Sequence, residues 1–347
     1  MKVQVNARNR AYQFDCAPEE KILFAGLRNA VALPYECGSG TCGTCKAKLI
    51  EGEIHDPWPQ APGTRYLKPA QGEFLMCQCQ PKSDLAIEVA NFVYSADPGV
   101  CIPSFYQGRI EFRAPLTHDV LAFRVALDAP MDFDAGQFVL VEAPAVRGFR
   151  GYSMVNFDRQ ARHLDFVVKK KTGGGFTEWL FDGGAPGAAL RLFGPLGKAT
   201  FYPGLGKNIL CIAGGSGIAG MMSILSRGCQ ERYFSQYQGY VFFGVRSARD
   251  VFYLDELERL REAFPHNLHI TVAFSDEPVP QALVDRYPGL AFDQGLVHEV
   301  AARHMEGKYQ NVRAYLAGPP PAVEAAIRML LLKAKLTTDN IRYDKFS

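Results

Sequence analysis

Three cysteines follow one another closely, Cys37, Cys42 and Cys45, as C-x4-C-x2-C, and Cys77 stands further along the chain. That is the spacing at which four thiolates wrap a [2Fe-2S] cluster. Gly38, Gly40 and Gly43 lie between them. A loop folded around two irons turns sharply, and glycines let its N–H groups face the sulfurs, where such hydrogen bonds tune a potential. A second assignment gives Cys42, Cys45, Cys77 and Cys79 to a single zinc ion; the full spacing favours the cluster, with Cys77 and Cys79 competing for its fourth ligand. The other cysteines, Cys16, Cys101, Cys211 and Cys229, are scattered, and a total of nine fits a disulfide framework poorly.

Two glycine-rich segments sit where phosphates bind. Gly173, Gly174 and Gly175 precede Phe176, Thr177 and a helical stretch expected to start near Glu178. A glycine turn opening a helix offers unpaired N–H groups and the positive end of the dipole to a pyrophosphate, and Arg150 adds a fixed charge suited to the same group. Further on, the apolar run Asn208 to Ala213 leads into Gly214-Gly215-Ser216-Gly217-Ile218-Ala219-Gly220 and a helical run from Met221. Gly215, Gly217 and Gly220 fit G-x-G-x-x-G, which brings a dinucleotide pyrophosphate to the backbone. Alone, each segment also reads as an ordinary surface turn. After the next strand, Gly244-Val245-Arg246 has no acid at the strand end for a ribose 2′-OH, and Arg246 suits a 2′-phosphate, so NADPH stays open beside NADH.

The elements that hold these residues fall into three blocks. With 347 residues, 48% of them apolar, the chain exceeds ordinary single-domain size. Residues 1–97 open with a hairpin (Val3 to Val5, Ala11 to Phe14), continue with a helix after Pro18-Glu19-Glu20 that stops before Pro34, and close with a strand at Leu85 to Val89. Ser95 to Gly99 read as a linker. Residues 103–203 carry strands at Gly108 to Phe112, Val120 to Leu127, Gln137 to Glu142 and Leu164 to Lys169, which suggests a small antiparallel barrel. Residues 204–347 alternate strands (Asn208 to Ala213, Gly239 to Phe243) with helices (Asp255 to Phe264, Ala322 to Ala334), the pattern of a parallel sheet covered by helices. A formal charge of +2, from 38 Lys and Arg against 36 Asp and Glu, gives no reason to expect nucleic acid or an anionic membrane as partner. No apolar run spans a bilayer and Met1 to Arg10 lacks a secretory pattern, so a cytoplasmic location is expected.

Arg150-x-Tyr152-Ser153, then Gly174-Gly175-x-Thr177, then Gly194-Pro-Leu-Gly197, in this order, resemble the ferredoxin-NADP reductase superfamily. The resemblance implies FAD, with Tyr152 packed on the isoalloxazine, the Ser153 hydroxyl near flavin N5, and Arg150, Gly174 and Thr177 at the phosphates. Val168, Lys169 and Gly175 complete the expected flavin set. It also implies a nicotinamide site at Gly215 and Gly217, with Gly318 and Pro319 standing in a segment that usually reads Cys-Gly-Pro-Pro. Here Ala317 replaces the cysteine, and Gly220 replaces a proline that usually follows Ile-Ala. The last residues, Tyr343 to Ser347, resemble the terminal acid-x-aromatic segment that closes over the flavin, with Asp344 as the acid and Phe346 as the aromatic; a disordered tail is the other reading. Ser153 and Asp344 are thus the expected catalytic pair. The segment Cys77-Gln-Cys-Gln-Pro81 resembles the ferredoxin segment whose ligand lies four positions before a proline, which selects Cys77 over Cys79.

The fold expected is therefore multidomain: an α+β (β-grasp) ferredoxin domain, an antiparallel β-barrel flavin domain and an α/β parallel-sheet nicotinamide domain. Nicotinamides release a hydride, whereas a [2Fe-2S] centre takes single electrons, so a flavin between them is the required converter. The domain order resembles reductase components of bacterial multicomponent oxygenases, nearest the aromatic diiron monooxygenases of the toluene type, on stretches such as Pro34 to Cys37, Glu51 to Ile54 and Trp58 to Gly63. The resemblance implies a Rieske ferredoxin or the hydroxylase as acceptor, and NADH as the favoured donor. A reductase for a Rieske dioxygenase shares every motif, and a redox sensor on the same scaffold is a further reading, encouraged by Gly220 and Ala317. A monomer is expected of a protein that docks different partners in turn.

Overall fold

The computed structural model describes residues 1–144 and 146–345; the expectation for Phe346 lies outside the described residues. In the first part the alternation Val3, Val5 puts apolar side chains on one face, and both are fully buried. β1 (Lys2–Ala7) pairs antiparallel with β2 (Ala11–Asp15), the expected hairpin. α1 (Ile22–Arg28) then buries Ile22, Leu23, Phe24, Ala25 and Leu27. It ends well before Pro34, where the Asn29 side chain donates to Ala25 O at 2.8 Å and Ala30 turns left-handed at φ 59°. β3 (Lys46–Glu51), β4 (Ile54–His55), β5 (Glu73–Leu75), β6 (Gln80–Pro81) and β7 (Leu85–Val89) follow. The main sheet runs β2-β1-β7-β3-β5, with β7 parallel to β1.

The second sheet contains β8 (Ser104–Pro115), β9 (Val120–Met131), β10 (Phe138–Glu142), β11 (Arg150–Ser153), β12 (Ala161–Lys169) and, after α2 (Gly175–Asp182), β13 (Ala189–Leu196). All neighbours are antiparallel in the order β11-β10-β13-β8-β9-β12. The expected barrel takes the form of a curled half-barrel. Its two edge strands form no ladder; beyond β11 they are tied by Val155 N to Asp165 O at 2.8 Å and by the Asn156 amide, which donates to His163 O and accepts from Asp165 N.

The third part alternates as expected: β14 (Asn208–Gly214), α3 (Ile218–Gln230), β15 (Gly239–Val245), α4 (Leu254–Ala263), β16 (Leu268–Phe274), α5 (Gln281–Arg286), β17 (Ala291–Gln294), α6 (Val297–His304), β18 (Val312–Gly318), α7 (Pro320–Leu332) and β19 (Ile341–Lys345). The sheet is wholly parallel, β17-β16-β15-β14-β18-β19. The last helix starts two residues earlier than the spacing suggests, because proline is well suited to a first helical turn. The reading of the C-terminus as a disordered tail is corrected: Ile341 to Lys345 pair along β18, with Asp344 opposite Ala317.

The first two sheets share one apolar core, in which Phe138, Leu140, Phe193 and Leu196 of the half-barrel pack with the residues of α1, β1 and β7. Phe24 stacks on Phe193 with ring centroids 4.4 Å apart and meets Phe149 edge-on at 5.3 Å. The Gly197 N–H donates to the Tyr35 hydroxyl at 3.0 Å. This packing fixes the cysteine loop against the half-barrel, and a Cβ added at Gly38 would lie 3.0 Å from Leu140 Cδ1.

Candidate functional site

The loop between α1 and β3 is built for sulfur. Gly38, Gly40 and Gly43 all take positive φ, 62°, 86° and 78°. These turns point N–H groups inward: Cys37 Sγ accepts from Ser39 N and Thr41 N at 3.4 Å, and Cys42 Sγ from Thr44 N at 3.5 Å. From the other side the Gln78 amide donates to Cys77 Sγ at 3.4 Å. The four thiols act on one another in two pairs, Cys37 with Cys42 and Cys45 with Cys77, the partner being the main cause of the shifted pKa of Cys37, Cys42 and Cys45. The Cys42 thiol, with the Thr41 hydroxyl and the two N–H groups, holds Cys37 well below the usual thiol range despite burial, whereas Cys77 and burial push Cys45 up.

Pairing decides what such a donor set suits. Four thiolates about 2.3 Å from one zinc ion would lie within about 4 Å of one another. Among the described residues, the group of three or more His, Cys, Asp or Glu ligand atoms that all lie within 4.8 Å is His118, Asp119 and Asp250, so the loop sulfurs do not converge on one point. Two separated pairs fit two irons. Cys79 is fully buried, its N–H donates to Leu75 O and its carbonyl accepts from Ile22 N, and burial pushes its thiol far up; it packs behind the loop, at the start of α1.

Strand β11 places Arg150, Tyr152 and Ser153 on the wall of a cleft of about 1040 Å³. The Tyr152 ring lies 5.0 Å from that of Phe176 and edge-on to Phe123 at 6.5 Å; burial raises its hydroxyl pKa far above the usual value, so it stays neutral. Ser153 is 4% exposed and its Oγ has no hydrogen-bond partner among the described residues. A buried unpaired hydroxyl costs about 1–3 kcal/mol, and at a cleft wall it fits a ligand with a hydrogen-bonding edge, as a flavin ring has. The Arg150 guanidinium lies 5.4 Å over the Trp58 ring and donates to Phe149 O at 2.9 Å.

Val168, Lys169 and the glycine turn line the same cleft. Helix α2 begins at Gly175, earlier than near Glu178, because Gly174 serves as its cap with no side-chain bond to the first turn, which leaves N–H groups for a phosphate. The Glu178 carboxylate instead reaches back to accept from Gly173 N at 2.7 Å. Thr177, expected at the phosphates, lines the same cleft, and its hydroxyl accepts from Lys171 N at 3.1 Å and donates to Gly174 O at 2.9 Å, bracing the turn.

At the third sheet, Gly215 turns left-handed (φ 53°) at the cleft wall, with open space where a Cβ would stand. Gly217 and Gly318 do not line the cleft. They are contact points where the turn after β14 crosses the end of β18: a Cβ at Gly217 would lie 2.4 Å from Ala317 O, and one at Gly318 3.1 Å from Gly214 O. Pro319 and the exposed Arg246 do line it. Asp250, the next acid after β15, is committed to a capping box, accepting from Ser247 N at 3.0 Å and from Ser247 Oγ at 2.6 Å. Asp344 closes the cleft from β19, and burial together with the facing charge of Glu36 pushes its carboxyl up to about 7.

One cleft thus meets Cys37, Ser153, Gly215 and Asp344. Sequence reasoning missed Trp58 and Phe176, gave Tyr35 and Glu36 no part, and left Asp250 unassigned. Tyr35 and Trp58 act across the boundary between the first two sheets, where no local pattern announces them. No helix among the described residues is long and apolar enough to cross a membrane.

Comparison with known proteins agrees with this arrangement. Residues 5–82 match the 2Fe-2S iron-sulfur cluster binding domain, 107–201 the oxidoreductase FAD-binding domain and 211–328 the oxidoreductase NAD-binding domain. The chain is 36% identical to a ferredoxin–NAD(P)+ reductase of Metapseudomonas resinovorans, over 95% of this chain and 96% of that one. It is 31% identical to the xylene/toluene monooxygenase electron transfer component of Pseudomonas putida, over 93% and 87%. The solved ferredoxin reductase of a carbazole 1,9a-dioxygenase superposes with a TM-score of 0.84 at 32% identity, covering 100% of this chain and 99% of that one. Similarity that runs through all three sheets and their common cleft makes the chain a member of the ferredoxin–NAD(P)+ reductase family that serves multicomponent oxygenases, an electron-transfer protein working with NAD(P)H, FAD and a [2Fe-2S] centre.

Proposed function

We propose that this chain takes a hydride from NADH and delivers single electrons to a Rieske ferredoxin or to the hydroxylase of an oxygenase, through domains spanning 1–97, 103–203 and 204–347. The observation that carries the reading is the single cleft in which a cluster-loop cysteine, an unpaired buried hydroxyl and a glycine phosphate turn meet. When bound, the flavin converts a two-electron hydride into two one-electron deliveries. The chain's own part is to bind and orient. Gly174, Gly175 and Arg150 hold a pyrophosphate, with Thr177 stiffening their turn. Tyr152, neutral and packed on Phe176, offers a flat face, while Val168 and Lys169 complete the flavin wall. The Ser153 hydroxyl donates to the ring edge. Gly215 receives the nicotinamide dinucleotide's phosphates, and Gly217, Gly318 and Pro319 hold the two strand ends close enough to shape that turn. Arg246, whose side chain has no ion-pair partner among the described residues, stands at the adenosine end, which leaves NADPH as a weaker donor. Asp344 keeps a proton available near neutral pH. Cys37, Cys42, Cys45 and Cys77 hold the irons.

The acceptor stays a choice of two because relatives of similar identity belong to carbazole dioxygenase and xylene/toluene monooxygenase systems. A sensor that has lost catalysis is less well supported, since a Cβ at Gly220 would make only ordinary contacts with Ser153 and the Gly217 to Ala317 crossing is intact. We take the protein to act as a cytoplasmic monomer. Anaerobic titration with NADH, and separately NADPH, tests the reading. It expects bleaching of both flavin and iron–sulfur absorbance with about two irons per chain; flavin and iron present but reduced by neither nucleotide would refute it.

A further inference from the structure

The cluster loop has two faces. Cys37 and Thr41 line the flavin cleft together with Pro62. Pro62 opens a short 3-10 turn, Pro62–Tyr66, that crosses the loop: Gly63 N donates to Gly40 O at 2.8 Å, and a Cβ on Gly63 would lie 3.1 Å from Gly43 N. The far end of this turn lays the Tyr66 ring against Gly43, between Cys42 and Cys45, where an added Cβ would lie 2.7 Å from Tyr66 Cδ2. Tyr66 is nevertheless 50% exposed. Neither Tyr66, Arg65, Gly43 nor Thr44 lines the cleft.

The flavin-side face is unavailable to a protein partner. The core shared by α1 and the half-barrel, with Phe24 stacked on Phe193 and Gly197 bonded to Tyr35, holds the loop against the cleft. An acceptor must therefore approach from the other side. That side is basic on balance: segments 41–48 and 62–73 carry Lys46, Lys48, Arg65 and Lys68 against Glu73, with the exposed Glu36 accepting from the Thr44 hydroxyl at 3.1 Å as the second acid nearby. Glu73 is already engaged by Lys46 Nζ at 3.1 Å and by Lys68 N. Arg65 has no acidic partner among the described residues; it donates to the Tyr66 hydroxyl at 2.7 Å and lies 4.7 Å over that ring. An exposed aromatic ring braced by an unpaired guanidinium, inside a basic rim, is the composition of a docking surface.

We propose that electrons leave through this outer face, with Tyr66 as the contact platform and Arg65 and Lys68 steering an acidic protein electron carrier onto it. The inference rests on the four cysteines holding the cluster. Each encounter moves one electron from the reduced centre in the loop to the partner's oxidised metal centre, with no bond broken and no proton transferred, so two encounters use up one hydride.

The test is stopped-flow transfer from the dithionite-reduced holoprotein, freed of excess reductant, to an oxidised acidic plant-type ferredoxin at low salt. Because dithionite replaces the nicotinamide, this readout stands even if NADH fails as donor, and NADH bleaching in parallel judges the proposed function by itself. Arg65→Glu with Lys68→Glu is expected to slow transfer at least about tenfold, the gap closing as salt rises, while reduction of a small uncharged quinone is unchanged and basic cytochrome c is reduced faster. Arg259→Glu with Arg286→Glu, an equal change of net charge on exposed residues of the third sheet's helices, is expected to leave the ferredoxin rate alone. Transfer to ferredoxin as fast in the Arg65/Lys68 variant as in the wild type, or an equal loss from both pairs of reversals, would overturn the proposal.

Discussion

Two glycines three residues apart are expected to respond to the same substitution with opposite signs. Gly220 lies in the first turn of α3, buried, with an ordinary φ. An alanine Cβ there would meet Ser153 Cβ at 3.6 Å, Ser153 Oγ at 3.8 Å and Gly136 O at 3.9 Å, all ordinary contacts. Replacing glycine in a helix gains up to about 1 kcal/mol, and the methyl fills space that is already there. Gly220→Ala is therefore expected to raise Tm by about 2–4 °C and to retain FAD. At Gly217 the same methyl would lie 2.4 Å from Ala317 O, 2.6 Å from Ala317 C and 2.8 Å from Gly318 N. All three are backbone atoms, so no side chain can swing aside. Overpacking of this kind costs about 1–3 kcal/mol, and the crossing between the β14 turn and the end of β18 must open. Gly217→Ala is expected to lower Tm and to raise KM for NADH, with ferricyanide reduction by dithionite-reduced protein unaffected. Thermal melts and steady-state kinetics on the two variants check this. A Gly217→Ala protein with wild-type Tm and KM, or a Gly220→Ala protein that melts lower, would refute the steric reasoning.

Replacing Cys77 with serine is expected to abolish iron binding, whereas Cys79→Ser keeps about two irons per chain and loses only packing stability; iron assay and visible absorbance separate the two. Ser153→Ala removes a buried hydroxyl that has no partner among the described residues, so the flavin-free protein should melt no lower than wild type, while flavin reduction by NADH slows roughly tenfold for the loss of one hydrogen bond. Asp344 has its carboxyl raised to about 7, chiefly by burial and then by Glu36. The folded state therefore holds a proton that the unfolded chain releases near pH 4, and this group's contribution falls as pH rises from about 4 to about 7 and is level above. Asp344→Asn should flatten that part of a Tm-against-pH curve; an unchanged slope would mean that the carboxyl is not held up.

Local chemistry was legible from sequence because it is written in short spacings. C-x4-C-x2-C needs its glycines wherever it occurs, and Gly38, Gly40 and Gly43 take the left-handed turns that the cluster reading asked of them. Strand Leu85 to Val89 and the first hairpin follow from alternation alone. Contacts between distant segments left no such trace. Nothing near Thr177 shows that its hydroxyl is spent on Lys171 and Gly174, and nothing near Asp250 separates a capping acid from a ribose ligand. Gly217 looked like a phosphate-binding residue because a glycine motif carries no record of what lies behind it; the structure puts Ala317 there. The C-terminal strand was equally silent, since five residues pair only because β18 offers a free edge.

The shared core also limits how electrons travel. Swinging the first sheet away from the half-barrel would expose Phe24, Leu140, Phe193 and Leu196, at most roughly 1.5–3 kcal/mol for each. That sum, roughly 6–12 kcal/mol, exceeds the few kcal/mol that separate the populated states of a mobile domain. A shuttling cluster is therefore disfavoured, and a fixed one has a consequence for the loop itself. Its flavin side is set by Cys37 and Thr41 in the cleft, and its partner side by what lies over Gly43. The positive φ at Gly43 lets the loop turn, and its missing side chain lets Tyr66 pack against the loop between Cys42 and Cys45. The residue type that the iron spacing demands is the same one that leaves room for a docking platform, so binding the metal and presenting it are met by one turn of the chain.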